Sequence, residues 1–286
     1  MKDLIYTLAH YCSRLLSDKL YLQLKFRHYF GRWINFRNPT SFNEKMQWLK
    51  IYDRNPEYTR MVDKYEVRQY IADCVGSQYL VPLLGVWDSA DDIDFDSLPN
   101  EFVLKCTHDS GGIIICCDKS KLDISSTRKK LNKALARKFY YYSREWPYKH
   151  VTPRIIAEAL LSDGKDADLK DYKLMCFEGK HMCSFVCSNR SSGSLNVTFY
   201  DADWNRMPFI RHYPASKTEI EKPANYRQMV EIAESLSKKL HFLRVDFYEC
   251  NSRLYIGELT FYPGGGFEEF TPSEWDVRLG SWINLK

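Results

Sequence analysis

Residues 1–75 carry apolar positions at the spacing that is typical of amphipathic helices. Ser41, followed by Glu44 ahead of an apolar stripe, matches a capping box, and a second helix is predicted over residues 59–72. The opening 30 residues are basic and amphipathic. We expect this segment to dock on the protein's own core, and contact with an anionic membrane surface is the alternative.

From residue 76 onward the pattern changes to short runs of β-forming residues. Asn251 and Ser252 are predicted to form the turn between the last two runs. Helices are predicted over residues 125–142 and 218–240. This mixture predicts an α+β fold with mostly antiparallel sheets. The predicted strands cover residues 79–87, 102–106, 112–116, 154–161, 171–179, 181–189, 196–203, 242–250 and 254–262.

Charge and cysteine content limit the class of protein. The net charge is +4, from 41 basic and 37 acidic residues, which is too mild for a nucleic-acid-binding protein but suits a local pocket for a small anion such as a nucleotide. The nine cysteines are scattered, odd in number and without a C-x-x-C pair, so they predict a reduced, cytosolic protein without a zinc site. A run of about 18 apolar residues, long enough to span a membrane, does not occur.

The first candidate motif is a glycine loop between two predicted strands. Lys105 lies near the end of one strand, and Ser110, Gly111 and Gly112 precede the next. Glycines let backbone N–H groups approach phosphate oxygens, and a nearby ammonium neutralises them. A simple glycine hairpin would have the same pattern, so this motif alone does not decide between the two interpretations.

The second candidate motif is a pair of carboxylates on the last two strands. Arg244 and Asp246 are two residues apart and therefore share a strand face. Glu258 follows on the partner strand, with Thr260 on its face. We expect Asp246 and Glu258 to hold Mg²⁺ together, because this ion prefers one or two carboxylates plus phosphate oxygens. Burying carboxylates in an apolar strand without a cation would be costly.

The order of these motifs resembles the ATP-grasp superfamily from about residue 41 to residue 267. The series runs from Lys64 on a helix, through the glycine loop and a strand that contains Glu158, to Lys173 and the carboxylate pair. More narrowly, the segments NPTSFNEKMQWLKIY, VDKYEVRQYI, FVLK and ELTFYPGGG look like the TupA-like branch, which is associated with bacterial cell-surface polysaccharide biosynthesis.

This resemblance implies a nucleotide clasped between two α+β lobes, here residues 76–160 and residues 161–286, with residues 1–75 as a helical amino-terminal segment. It implies ATP and Mg²⁺ as cofactors, with metal ligands at Asp246, Glu258 and Thr260. Arg244 would face the transferred phosphoryl group, and Lys173 matches a basic residue of the family. The implied ATP contacts are Lys64, Lys105, Ser110, Gly111, Gly112 and the adenine-reading hinge Glu158, Ala159 and Leu160.

Some family features are altered in this sequence. Thr260 stands where many members have Asn, which leaves the second metal position open. Asp163 and Asp168 are the candidates for binding ribose. An amino-terminal Rossmann-like domain, which many relatives have, is replaced by the helical segment.

The implied reaction is the ADP-forming ligation of a carboxylate to an amine through an acyl-phosphate. The substrates would be a uronic acid or glycan carboxylate and an amino acid or amine. The resemblance also implies contact with polysaccharide-assembly proteins at the inner face of the membrane. Trp204 and Tyr213 are candidates for stacking on a sugar. A glycosyltransferase, suggested by the D-x-D pattern of Asp201 and Asp203, a sugar kinase, and a noncatalytic module are the alternatives.

Overall fold

The computed structural model describes residues 14–162, 169–189, 193 and 195–285. Its strands form three antiparallel sheets, and helices cover parts of them. The chain is therefore α+β, as predicted. The α-helices are α1 (Asp18–Phe30), α2 (Phe42–Tyr52), α3 (Glu57–Val62), α4 (Val67–Val75), α5 (Ile124–Leu135), α6 (Tyr140–Ser143), α7 (Tyr226–Ser237) and α8 (Glu274–Ser281).

The smaller of the two main sheets has four strands in the order β1-β4-β2-β3. They are β1 (Leu83–Trp87), β2 (Phe102–Cys106), β3 (Ile113–Cys116) and β4 (Ile155–Ala159). A separate apolar core lies beneath this sheet, where α5 packs Leu131 and Ala134 against Phe102 and Leu104. The loop between β2 and β3 carries the glycines that the sequence singled out, so the sheet presents this loop at one edge.

The larger sheet has five strands in the order β10-β9-β5-β6-β7. They are β5 (Asp171–Phe177), β6 (Lys180–Ser188), β7 (Asn196–Asp201), β9 (Phe242–Cys250) and β10 (Arg253–Thr260). A two-stranded ribbon of β8 (Ile210–Arg211) and β11 (Phe270–Thr271) lies apart from both sheets. Helices α2, α3, α4 and α7 share one apolar core with the large sheet. The helical segment before residue 76 therefore packs on the strands of the second half of the chain.

Three predicted helices differ from the observed ones in extent. Residues 59–72 do not form one helix, because the Asp63 carboxylate accepts the backbone N–H groups of Tyr65 and Glu66 and separates α3 from α4. The helix predicted over 125–142 stops at Leu135, and α6 is a separate turn. The helix predicted over 218–240 begins only at Tyr226, after Pro223, since residues that precede a proline are disfavoured in a helix.

The cysteines behave as the sequence predicts within the described residues. Eight of them are free thiols, and six of those are buried. Cys183 and Cys176 lie in the core of the large sheet. In the same described ranges, every helix is too short or too polar to cross a membrane.

A buried histidine makes the stability of the fold depend on pH. His181 on β6 contacts Ser184 Oγ through its Nε2 at 2.9 Å and packs edge-on against Tyr226. Burial lowers its pKa from 6.5 to about 4. Below pH 6.5 the unfolded chain therefore binds a proton that the folded chain excludes, so the free energy of unfolding falls as the pH is lowered.

We expect this histidine to remove about 3 kcal/mol of stability between pH 7.5 and pH 4. Denaturant unfolding of the wild-type protein and of His181→Gln at both pH values measures the effect. The pH-dependent loss should be smaller in the variant by that amount. Equal losses in the two proteins would show that His181 does not titrate as its burial requires.

Candidate active site

The hairpin of β9 and β10 brings the two predicted metal-binding carboxylates together. Asn251 and Ser252 both have positive φ, at 50° and 61°, and form its two-residue turn. From this turn the strands pair regularly as far as Ile256 and Phe247, and Gly257 is then an extra residue. A regular register would place Glu258 opposite Val245, on the other face from Asp246.

The β-bulge at Gly257 corrects this register. Beyond it, Glu258 pairs directly with Asp246 and Thr260 pairs with Arg244. A Cβ at position 257 would lie 2.7 Å from the ring of Tyr248, so a glycine suits this close approach. Directly paired residues share a sheet face, and the two carboxylates therefore point to the same side.

Lys173 on β5 extends this row across a third strand, because it pairs with Asp246 on the other side of β9. Its ammonium contacts the Asp246 carboxylate and lies 2.8 Å from Asp171. Arg244 donates two hydrogen bonds to Asp246, of 2.6 and 2.7 Å, and lies 3.5 Å from Glu258. The site thus contains two cations and three acidic groups on adjacent strands.

These contacts fix the charge of Asp246. Burial by itself would raise the pKa of this carboxyl, but the Arg244 guanidinium and the Lys173 ammonium hold the pKa below its ordinary value. Burial by itself would lower the pKa of Lys173, and Arg244 adds to this effect, but the carboxylates of Asp246 and Asp171 raise the pKa above its ordinary value. Asp246 is therefore an anion at neutral pH, although only 2% of its surface is exposed.

The donor groups fit Mg²⁺ in combination with phosphate oxygens. The Glu258 side chain is 31% exposed and opens on a cleft, while the Thr260 Oγ1 atom is buried and has no hydrogen-bond partner among the described residues. In the described ranges, no group of three or more His, Cys, Asp or Glu side chains is placed to hold a metal ion by itself. Two carboxylates and a hydroxyl would leave about half of the positions of an octahedral ion to phosphates and water.

Thr260 allows a test of this fit. Replacing it with the isosteric valine removes a hydroxyl that makes no hydrogen bond to the described part of the chain, so we expect no loss of unfolding free energy, or a gain of up to about 1 kcal/mol. The Kd for Mg²⁺ with a nonhydrolysable ATP analogue should rise about tenfold, as measured by calorimetry.

Thr198 on β7 is the matched control for Thr260. It is buried in the same sheet, but its Oγ1 accepts the backbone N–H of Ser216 at 2.9 Å. Thr198→Val should therefore cost about 1 kcal/mol of stability and leave nucleotide affinity unchanged. A larger stability loss in Thr260→Val than in Thr198→Val would mean that the Thr260 hydroxyl is already satisfied.

The glycine loop (residues 107–112) lies beside the carboxylate pair. The Lys64 ammonium donates a hydrogen bond of 2.6 Å to the backbone oxygen of Asp109 in this loop and lies 3.9 Å from Glu258. Ser110 lines the same cleft as Glu258, and Gly111 has a φ of 113°. Lys64 therefore connects the loop to the acidic pair.

A second charged group lies on β4, where the hinge is predicted. The Lys105 ammonium is 2.5 Å from Glu158, and Arg68 on α4 is 3.2 Å from the same carboxylate. Strand β4, which carries Glu158, lies between β1 and β2 in the sheet. The backbone N–H of Ala159 donates a hydrogen bond to the backbone oxygen of Pro82. Leu160 follows the end of β4. Lys105 is thus grouped with the predicted hinge in this structure, and Arg68, which the sequence did not single out, belongs to the same charged group.

A cleft of about 680 Å³ opens from the carboxylate pair. Ser110, Arg244, Glu258 and Thr260 lie on one side of it. The remaining wall includes residues of α1, of α6 and of the glycine turn at residues 264–266. Of these elements, the sequence singled out only the glycine turn, in the ELTFYPGGG segment. These further lining residues include Lys25, Tyr29, Phe139, Tyr142, Glu145 and Tyr148.

Other residues singled out from the sequence have different surroundings. Trp204 stacks on Tyr200 and packs on Tyr226, so it belongs to the core and is not a sugar platform. Tyr213 is 37% exposed and does not line the cleft. The Asp201 carboxylate accepts the backbone N–H groups of Asp203 and Asn205, which explains the D-x-D pattern as a turn. Asp163 and Asp168 lie outside the described residues.

Solved structures similar to this one are ATP-using ligases with low sequence identity. A D-alanine–D-alanine ligase from Bacillus anthracis is 15% identical, with a TM-score of 0.40, over 70% of this chain and 57% of that one. The corresponding ligase from Helicobacter pylori is 13% identical, with a TM-score of 0.41, over 86% and 70%. The ATP-grasp ligase PsnB, complexed with a precursor variant, Mg and ADP, is 10% identical, with a TM-score of 0.42, over 77% and 57%.

This chain thus spans little more than half the length of the Bacillus anthracis ligase and of PsnB. None of the curated proteins compared is a match in sequence. The sequence model of the family described as TupA-like ATPgrasp matches residues 44–284. That match includes both main sheets, the glycine loop and the carboxylate pair. The chain therefore belongs to the TupA-like ATP-grasp family.

Proposed function

We propose that the protein is an ATP-dependent ligase that activates a carboxylic acid as an acyl-phosphate and transfers the acyl group to an amine. The observation that carries this proposal is the direct pairing of Asp246 with Glu258, which lines a cleft, and the position of Arg244 beside both carboxylates. Family membership supports ATP as the phosphoryl donor.

Each charged side chain has a role in this proposal. Asp246, Glu258 and Thr260 would hold Mg²⁺, which would neutralise the triphosphate when bound. Lys64 and the glycine loop would cover the phosphates, and Arg244 would stabilise the phosphoryl group during transfer. Lys173 would keep Asp246 oriented and ionised. Lys105, Glu158, Ala159 and Leu160 would contact the nucleotide at the hinge.

The transfer needs no nucleophilic side chain from the protein. The substrate carboxylate attacks the γ-phosphorus, ADP leaves, and the acyl-phosphate then meets the amine, which displaces phosphate. The protein contributes position and charge, because both substrates must meet in the same water-poor cleft. A 680 Å³ cleft is in the range of small-ligand sites.

For the acid we propose a uronic acid or a glycan carboxylate of cell-surface polysaccharide biosynthesis. The aromatic side chains of Tyr29, Phe139, Tyr142 and Tyr148 on the cleft wall favour a sugar ring, since such rings stack on aromatic faces. A cytoplasmic location beside the membrane would suit this substrate class.

Product analysis tests the reaction against its alternative, a sugar kinase that would use the same ATP site. The protein is incubated with Mg-ATP, glucuronate or galacturonate, and amino acids, and ADP and free phosphate are measured. The ligase should release both products only when acid and amine are present together. Phosphate that remains on the sugar would indicate a kinase, and turnover of a sugar nucleotide without ATP would contradict the proposal.

A further inference from the structure

The cleft extends past Arg244 and Glu258 to a wall that carries one ammonium and one buried carboxylate. Lys25, on α1, donates a hydrogen bond of 2.6 Å to the backbone oxygen of Tyr142 and lies 4.6 Å from the ring centre of Phe267. Glu145 follows α6 and is only 7% exposed. Both side chains line the cleft that contains Glu258.

The Glu145 carboxylate is held on one side only. Ser143 Oγ donates to its Oε1 at 2.6 Å, while in the described part of the chain no group donates to its Oε2. A Cβ on Gly265 would lie 3.7 Å from Oε1, so the carboxylate lies against the glycine turn after β10. A buried carboxylate with one oxygen free, in a cleft, is suited to receive a cationic or hydrogen-bond donor ligand.

Lys50 holds the backbone of this wall in place through hydrogen bonds. Its ammonium is fully buried and donates to the backbone oxygens of Ser143 and Gly265, at 2.9 and 2.6 Å. All of its donors are used, because the third bond goes to Gln47. Lys50 therefore joins the segment that carries Glu145 to the glycine turn and does not itself face a ligand.

Helix α1 is tied to the same segment. Tyr21 and Lys25 both donate to the backbone oxygen of Tyr142, and Asp18 lies 3.3 Å from Arg144. Lys25 uses one of three ammonium donors in this contact, so the others are available. Residues 44–284 match the family, so Lys25 comes from a segment that precedes the match, while Glu145 lies within it.

The charges of the two groups agree with ligand binding. Burial lowers the pKa of Lys25 to about 8, which leaves it protonated at neutral pH. Burial raises the pKa of Glu145, the nearby Lys50 opposes this shift, and Glu258 adds to it. A carboxylate with a raised pKa is a better proton acceptor than an exposed one.

We propose that Glu145 and Lys25 form the acceptor subsite, and that the acceptor is an amino acid whose ammonium contacts Glu145 and whose carboxylate contacts Lys25. This inference rests on the proposed ligase function, because it assigns the amine substrate of the same cleft. It selects a zwitterion over a simple amine, since a site with one charged group of each sign disfavours a ligand that lacks either partner.

The same contact supplies the proton acceptor for ligation. The ammonium gives one proton to Glu145, and the neutral nitrogen attacks the acyl carbon. The C–N bond forms, the bond from carbon to the phosphate oxygen breaks, and phosphate leaves with that electron pair. Phosphate takes the second nitrogen proton and departs as hydrogen phosphate, and Glu145 returns its proton to water.

Equilibrium binding tests the subsite without any chemistry. The full chain is loaded with Mg²⁺ and a nonhydrolysable ATP analogue, and each of the common amino acids is titrated by calorimetry. For every amino acid that binds, the amine that lacks its carboxylate is titrated too. The amino acid should bind at least about tenfold more tightly than the amine, and Lys25→Met should remove that difference.

Glu145→Gln should weaken both ligands about tenfold, while Lys180→Met, at an exposed position on β6, should change neither. Lys25 lies on a partly exposed helix face, so Lys25→Met should fold. This variant therefore tests the subsite even if Glu145→Gln does not fold. The proposal is overturned if no amino acid binds, or if the affinity is the same in wild type, Lys25→Met and Glu145→Gln.

Hydroxylamine separates failure of this inference from failure of the ligase function. It traps acyl-phosphates and is largely unprotonated at neutral pH, so it needs no base. Glu145→Gln should lower amino-acid ligation about 100-fold and should shift the ratio of hydroxamate to amide strongly toward hydroxamate. A wild-type protein that forms hydroxamate, with the same ratio in the variant, contradicts only the role of Glu145. Wild type without hydroxamate contradicts acid activation itself.

Discussion

Glu258→Gln should lower acid-dependent ADP release about 1000-fold while leaving the fold intact. The variant keeps the size of the side chain but removes the negative charge that faces Asp246 across the hairpin. A metal ion beneath the phosphates would lose one of its two carboxylate ligands. The ion would then stabilise the charge of the transition state less well. Steady-state release of ADP, measured with saturating acid and amine, gives the effect, and Asp246→Asn should lower ADP release by a similar factor.

Stability should change little in Glu258→Gln. The Glu258 side chain is 31% exposed and only approaches its cations, at 3.5 Å from Arg244 and 3.9 Å from Lys64, and such pairs contribute under about 1 kcal/mol. Glu249→Gln on β9 is the matched control. Its carboxylate accepts a hydrogen bond from Asn225, away from the cleft, and activity should be retained. Full activity of Glu258→Gln would remove the metal assignment.

Lys173→Met should destabilise the fold by about 3 kcal/mol, the largest stability effect that we expect at the site. Lys173 is 8% exposed and contacts two acidic groups, Asp171 and Asp246. Removing one member of a buried ionic network leaves the remaining charges uncompensated. Denaturant unfolding at pH 7 measures the loss, and nucleotide-dependent activity should fall as well, because Asp246 loses one of its two cations.

Lys180→Met separates a network effect from the general loss of a lysine in the large sheet. Lys180 is exposed at the beginning of the neighbouring strand, and its replacement should change the free energy of unfolding by less than about 0.5 kcal/mol. Equal stabilities of Lys173→Met and Lys180→Met would show that the buried network contributes nothing net. In that case Asp246 would depend on Arg244 alone.

Local signals in the sequence were sufficient to predict most elements of the fold. Ser41 and Glu44 form the expected capping box, and the strands at 102–106 and 242–250 have the predicted ends. The helix breaks were missed because they depend on particular side chains. The Asp63 carboxylate, for example, competes for backbone N–H groups that a longer helix would have used.

The site was predictable only where residues close in the chain determine it. Arg244 and Asp246 share a face because strands alternate, and this was visible in the sequence. Glu258 joins them only because of the bulge at Gly257, and spacing alone would have placed it on the opposite face. The wall with Lys25 and Glu145 depends on the docking of α1 against residues far along the chain. The amphipathic pattern predicted docking on the core, but it did not indicate which residues α1 would meet.

A crystal structure of the protein with Mg²⁺ and a nonhydrolysable ATP analogue tests the central claim most directly. We expect one ion with oxygens of both Asp246 and Glu258 at about 2.1 Å, and the terminal phosphate between Arg244 and the glycine loop, facing the cleft that contains Glu145. Coordinates with the ion bound elsewhere, or with the triphosphate outside this cleft, would contradict the account.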